Sequence, residues 1–263
     1  MSDTIRKAQL YSGVESLLSQ VTNIKIGDIV ELGAYPQTAT GDDKTPIAWY
    51  VIRIEDDNIM LLSKYILDNM PITEGTPHIT WADCSLRKWL NEDFYHTVFD
   101  EKERGITVLN ICKDNGHKVT RAEFGGNVSM VCKAAKDTED YVFLLSENEI
   151  NELDKNLDKR THVGGVGTEF SKQEKFSKKR KKDVKLSVCE RNGFSTWWLR
   201  TRSSDKFRAT FQTMYVRCYE GNVTYPYDDG EYFEDHVGEV NRSGDPSDNN
   251  NGIRPAIVIK LSR

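Results

Sequence analysis

The apolar positions change period several times along the chain, and each change predicts an element. Residues 3–22 carry Ile5, Ala8, Leu10, Val14, Leu17, Leu18 and Val21 at three- and four-residue spacing, which predicts an amphipathic N-terminal helix spanning residues 1–22. From Asn23 the period drops to two. The run IKIGDIVELGAYPQT predicts a strand that breaks at Tyr35-Pro36. Residues 47–55 and 59–63 read as two strands joined across Asp56-Asp57-Asn58, residue types that tolerate positive φ in a hairpin turn.

Helical spacing returns over residues 80–104. Thr80 or Asp83 is the expected cap, Leu86, Trp89 and Leu90 form one stripe, and Asn91 is the expected end. Phe94, Val98 and Phe99 then mark a second short helix. Residues 106–112 are strand-like, 113–139 read as a loop or irregular hairpin, and 141–146 as a buried strand. Ser146 with Glu149 three residues on predicts a capping box. Residues 161–193, rich in Gly and then in Lys and Arg, predict a flexible basic insertion. Beyond it lie short strand patterns separated by long polar stretches, ending in a strand at IRPAIVIKL. No Pro- or Ser-rich linker divides residues 23–263, so one α+β domain is expected.

Composition narrows the function classes. The chain has 263 residues, 38% of them apolar, which is ample for a core and excludes global disorder. With 36 Lys and Arg against 41 Asp and Glu, it is no whole-surface nucleic-acid binder. The N-terminal residues lack an apolar signal core, and no run suits a membrane span, so a cytoplasmic chain without membrane contact is expected. Five dispersed cysteines without CxxC spacing argue for reduced thiols rather than a disulfide framework or zinc ribbon.

Several blocks in order carry a resemblance: GDIVELGAYPQT, PIAWYVI, LLSKYILD, TWADCSLRKWLN with DFYHTVF, YVFLLSENEI, STWWLRT and NNNGIRPAIVI. They resemble a large uncharacterised bacterial domain-of-unknown-function family over residues 24–261. That family is similar to C-type-lectin-like folds, including formylglycine-generating-enzyme-like domains and variable proteins diversified by retroelements. The resemblance implies small twisted antiparallel sheets, short helices and long irregular loops, with the ligand surface built from loops before the final strand. The basic insertion and the acidic segment 225–240 depart from the family picture.

Candidate chemistry is sparse. Trp197 and Trp198 point to opposite faces of a strand, one of them toward the core. Arg200 and Arg254 are expected to be structural, each buried against a carboxylate or carbonyl. Asp228, Asp229, Glu231, Glu234 and Asp235, and then Asp245, Asp248, Asn249 and Asn250, offer oxygens for calcium. They lack both EF-hand spacing and the sugar-binding lectins' motifs, so solvated acidic loops are expected. Cys189 and Cys218 flank the Trp strand without the oxidase motif context, and ordinary thiols are expected. The five histidines are scattered, and GGVG at 164–167 lacks the remainder of a phosphate loop. No metal, cofactor or catalytic residue is therefore assigned.

The polar-aromatic stretch 214–251 has the mixture that recognition loops use: Tyr for contact area, small polar residues for adaptable hydrogen bonds. The expected ligand-binding residues are Tyr215, Arg217, Tyr219, Tyr225, Tyr227, Asp228, Asp229, Tyr232, Asn241, Asp245 and Asn249. The expected function is a non-catalytic module binding a protein or other ligand, with diversification by a retroelement as its sharper form. Two alternatives stand beside it. One is a formylglycine-oxidase-like enzyme. The other is nucleic-acid association through the basic run 172–185, with Lys178, Lys179, Arg180, Lys181 and Lys182 as contacts.

Overall fold

A computed structural model describes residues 9–74, 80–114, 116–119, 130–132, 134–178, 180–207, 210–216, 220–224, 231–235, 240–244 and 250–261. The alternating runs become strands because their apolar faces have somewhere to go. Ile29–Tyr35, Thr45–Glu55, Asn58–Ser63 and Ala256–Lys260 pair antiparallel in that order. Val142–Phe143 and Thr107–Val108 both pair with Ala256–Lys260, and Leu10–Ser12 adds a parallel edge on Ile29–Tyr35, giving seven strands. The closing strand is therefore central in its sheet, with Ala256, Ile257 and Ile259 fully buried.

A second sheet of five strands runs Val240–Gly244, Thr210–Val216, Trp197–Phe207, Gly252–Ile253 and Asp68–Asn69. A third, smaller one joins Phe194–Ser195, Gly165–Gly167 and Tyr65–Ile66. Two chain segments weave these sheets together. Residues 58–69 pass from the first sheet through the third into the second, and residues 252–260 run from the second into the first. Arg254-Pro255 is the crossing between those two memberships. Gly252 is needed there because a Cβ on it would overlap the Ile66 side chain on the crossing segment.

Hairpin chemistry holds at residues 56 and 57. Glu55 pairs with Asn58, and Asp56 takes φ 52°. Gly33 sits at a register shift with φ 67°, and a Cβ there would press on Val98 and Phe99, so a glycine lets the strand bend against the helices.

Several local expectations are corrected. The N-terminal segment is a strand, Leu10–Ser12, followed by a helix of only eight residues, Gly13–Gln20; residues 1–8 lie outside the described residues. Gly13 at φ 72° marks where strand becomes helix. Asn91 does not end a helix. It lies inside a π-helical turn, Leu90–Phe94, between Ser85–Trp89 and Tyr95–Val98. Its amide donates to the Arg87 and Val142 carbonyls and accepts from the Tyr141 and Val142 N–H groups, bonding helix to sheet. Cys84, rather than Thr80 or Asp83, caps Ser85–Trp89, its sulfur accepting from the Arg87 N–H.

The insertion at 161–193 is not irregular throughout. It forms Gly165–Gly167 and a hairpin of Lys175–Ser177 with Lys182–Val184, and it buries Thr168, Ser171, Ser177, Val184 and Leu186. Lys178, Arg180 and Lys181 lie in turn conformation where the hairpin closes, with Lys181 at φ 52°. Its root is tied down by Lys175, which bonds and ion-pairs with buried Asp68; Tyr35 donates its hydroxyl to the same carboxylate at 2.7 Å.

Candidate functional site

The Trp strand is the frame on which everything else hangs. Trp197 and Trp198 are both fully buried, so both faces of this strand are covered rather than one. Their indole N–H groups donate to the Val163 and Met70 carbonyls at 3.0 and 3.1 Å. A buried indole needs such an acceptor.

Arg254 lies in the crossing between sheets, with no exposure at all. Its guanidinium lies over the Trp197 ring, 5.1 Å from the centroid. Nε donates to the Ser63 carbonyl at 2.7 Å, Nη1 to Val163 at 2.9 Å, and Nη2 to His162 at 2.7 Å and Lys64 at 3.5 Å. The planar fork thus ties residues 63–64 and 162–163 to the closing segment. Burial pushes its pKa down to about 9, the Tyr50 hydroxyl acting weakly the other way, so it remains a cation at neutral pH. The expectation of a structural arginine held by carbonyls describes this group.

Arg200 satisfies its charge differently. Its side chain forms a two-pronged pair with Glu149, Nη1 to Oε2 at 2.5 Å and Nη2 to Oε1 at 2.9 Å, and Nη1 also donates to the Leu144 carbonyl at 2.6 Å. Glu149 is the carboxylate of the capping box that opens the helix Glu147–Asn151, so the box also supplies the partner of a buried cation. Desolvation alone would raise the Glu149 pKa; the Arg200 charge and the bonds from Arg200 and Ser146 outweigh it and hold the carboxyl below its ordinary range. For Arg200, desolvation pulls downward, and the Glu149 charge outweighs it and raises the pKa. Unlike Arg254, Arg200 keeps one buried donor, Nε, without an acceptor.

Arg200 also lines a cleft of about 400 Å³, together with Arg53, Asp114, Glu147, Glu149 and Arg202 among others. Arg200 and Arg202 stand two residues apart on the strand Trp197–Phe207, next to a register shift between Trp198 and Arg202, and both line the cleft. Arg53 reaches Glu55 and Glu152 only at 3.8 and 3.5 Å, and Arg202 reaches Asp114 at 3.9 Å. The floor includes Trp81, whose N–H is committed to fully buried Asp140 at 2.9 Å. Cys112 also lines it, its thiol pushed up to about 12 by burial, the Arg200 charge opposing weakly. A thiol at that value is no nucleophile at neutral pH.

The expected recognition residues fall in two groups. Tyr215, Tyr232 and Asn241 are on described strands. Tyr215 pairs in register with Trp198 on one side and with Asn241 on the other. Tyr232 pairs with Val223 in the separate hairpin of Glu220–Thr224 with Glu231–Asp235. Arg217, Tyr219, Tyr225, Tyr227, Asp228, Asp229, Asp245 and Asn249 lie outside the described residues, as do Asp248 and Cys218. The alternative contacts Lys178, Arg180, Lys181 and Lys182 are exposed on the basic hairpin; Lys178 is paired with Glu74 at 2.6 Å, and Lys179 lies outside the described residues. Phe176 stands 63% exposed on the same hairpin. Among the described residues no grouping of His, Cys, Asp and Glu suits a metal ion, and no helix is long and apolar enough to cross a membrane.

Sequence reasoning missed the cleft. Its one legible signal was the Arg200-x-Arg202 spacing on a strand. Arg53, Asp114 and Glu149 come from distant segments and share no motif with it.

Taken as a class, this is a mixed α+β chain with small sheets and short helices, braced by buried arginines and carrying a charged cleft. It belongs to the family described as Domain of unknown function (DUF6273), whose model matches residues 56–261. No curated protein and no solved structure matches the chain. Residues 45–55, before the matched span, are nevertheless part of its first sheet, pairing with Asn58–Ser63.

Proposed function

We propose that the chain is a non-catalytic binding module of C-type-lectin-like build that recognises a protein through its polar-aromatic C-terminal segment. The observation that carries this reading is one register. Trp198, Tyr215 and Asn241 lie side by side on three adjacent strands, so a recognition-type Tyr and Asn are carried next to a strand anchored by two buried, hydrogen-bonded tryptophans. Adaptable polar and aromatic residues on a rigid support are what binding surfaces use. The strongly raised thiol pKa values of Cys84 and Cys112, both from burial, add nothing that favours thiol chemistry. Because the segment runs up to Gly252-Ile253-Arg254-Pro255, the sharper form is a diversified variable protein. Its expected sign is a near-identical repeat beside the gene that differs at adenines.

The test is a comparative capture from lysate of the source organism. Intact chain is compared with a variant in which Tyr215, Tyr219, Tyr225, Tyr227 and Tyr232 are Ala. A partner held only by the intact chain is the expected result; the same partners on both baits would overturn the reading.

One observation favours a second reading. Exposed Phe176, in register with Asp183 on the hairpin that also carries Lys181 and Lys182, gives that hairpin the aromatic that nucleic-acid surfaces use. Single-stranded RNA binding that weakens steeply with salt and vanishes when residues 178–182 are neutralised would support it.

A further inference from the structure

We propose that the cleft beside Arg200 binds a small zwitterion bearing an α-ammonium and a carboxylate: a free amino acid or the equivalent groups of a short peptide. This does not depend on protein recognition by the C-terminal segment.

Three observations point the same way. The first is spare donor capacity. Arg200 is 7% exposed, yet among the described residues its Nε has no acceptor, while Nη1 and Nη2 are committed to Glu149 and Leu144. Leaving a buried donor unmade costs about 1–3 kcal/mol, and the side chain that carries this one lines the cleft. The second is Arg53. Among the described residues its guanidinium is ion-paired at 3.5 and 3.8 Å, with the 67% and 71% exposed side chains of Glu152 and Glu55. A carboxylate entering the cleft would find the N–H fork of Arg53 available for short, charge-assisted bonds. The third is the mixture of signs. Glu147, Glu149, Glu152 and Asp114 line the same 400 Å³ as Arg53, Arg200 and Arg202.

That mixture discriminates among ligands. A simple anion would face five carboxylates, Glu55 among them, against three guanidinium groups and the Lys113 ammonium, and repulsion from the former offsets attraction to the latter. A neutral sugar needs an exposed aromatic face, and Trp81 is 4% exposed with its N–H already used. A molecule with separated positive and negative ends satisfies both sets at once. The volume lies at the small end of ligand clefts, which suits a molecule of amino-acid or dipeptide size.

The experiment is isothermal titration calorimetry of the full chain with L-alanine, L-glutamate, L-lysine and Gly-Gly. The controls are N-acetyl-L-alanine, L-alanine methyl ester and inorganic phosphate. Each ligand is raised to about 10 mM, where even a millimolar Kd registers. At least one zwitterion is expected to bind, and capping either end should weaken it about tenfold or more. Binding of Gly-Gly alone supports the proposal and assigns the source to peptides. Arg53→Gln should weaken binding by a similar factor while its unliganded melting temperature stays near that of the parent chain. Arg200 variants are a poorer test because they break a buried pair. No heat from any zwitterion would overturn the proposal, as would equal binding of the capped forms or of phosphate.

Discussion

Arg254 and Arg200 are both buried guanidinium groups braced against aromatic rings, Trp197 for one and Phe143 for the other. They differ in what receives their protons. Around Arg254 the acceptors are four backbone carbonyls, and its surroundings are closed. Around Arg200 the main acceptor is a side-chain carboxylate, one donor is unused, and the group opens onto a cleft. Carbonyls belong to the backbone and cannot move aside, so the first arrangement acts as a clamp. A carboxylate on a short helix leaves room for a ligand beside it. The lesson is that burial alone does not separate a structural arginine from one at a site; the completeness of its hydrogen bonding does.

The largest expected effect tests the clamp. Arg254→Met removes the donor to the Ser63 and His162 carbonyls and leaves them buried, while Val163 keeps the Trp197 indole. Urea unfolding should show a loss of about 4 kcal/mol or more, from unmade bonds together with imperfect refilling of the space. A loss below about 1 kcal/mol would break the comparison at its firmest point.

Next is the carboxylate pair. Glu149→Gln keeps the shape but strands the buried Arg200 charge, for an expected cost of about 3 kcal/mol. The pH dependence has a definite sign. Glu149 is held below its ordinary value when folded, so its contribution is full above the ordinary glutamate range. It fades as the pH falls through that range toward the lower folded value. Acid unfolding of the parent chain should therefore be steeper there than that of Glu149→Gln, and equal slopes would remove the pair's role.

Smaller again is the crossing itself. Gly252→Ala forces a methyl into Ile66 and should cost about 2 kcal/mol in the same unfolding measurement. The smallest effect belongs to the cleft rim: Arg53→Gln should change stability by less than about 0.5 kcal/mol, because its ion pairs are long and partly exposed. A large loss there would make Arg53 a clamp too and erase the distinction.

Much of this was legible where chemistry is local. The turn at Asp56-Asp57, the Ser146–Glu149 capping box and the polar partners of Arg200 and Arg254 follow from residue types at short spacing. The continuous helical run through Asn91 was not, since an amide that reads as a helix stop is here used to bond Tyr141 and Val142 across the core. The glycines and lysines of 161–193 read as solvated. Their folding depends on partners far away: Tyr65–Ile66 beside Gly165–Gly167, and Asp68 beneath Lys175. The cleft was illegible for the same reason. Residues 53, 114, 149 and 202 lie on separate segments and line one cleft only in the folded chain.

The most direct test is hydrogen exchange at the two guanidinium Nε–H groups, followed by NMR on the folded chain. The account predicts that the Arg254 Nε–H, fully buried and bonded to the Ser63 carbonyl, exchanges only on global unfolding. The Arg200 Nε–H should exchange far faster and slow down when a zwitterion fills the cleft. Equal protection of the two groups in the unliganded chain would contradict it.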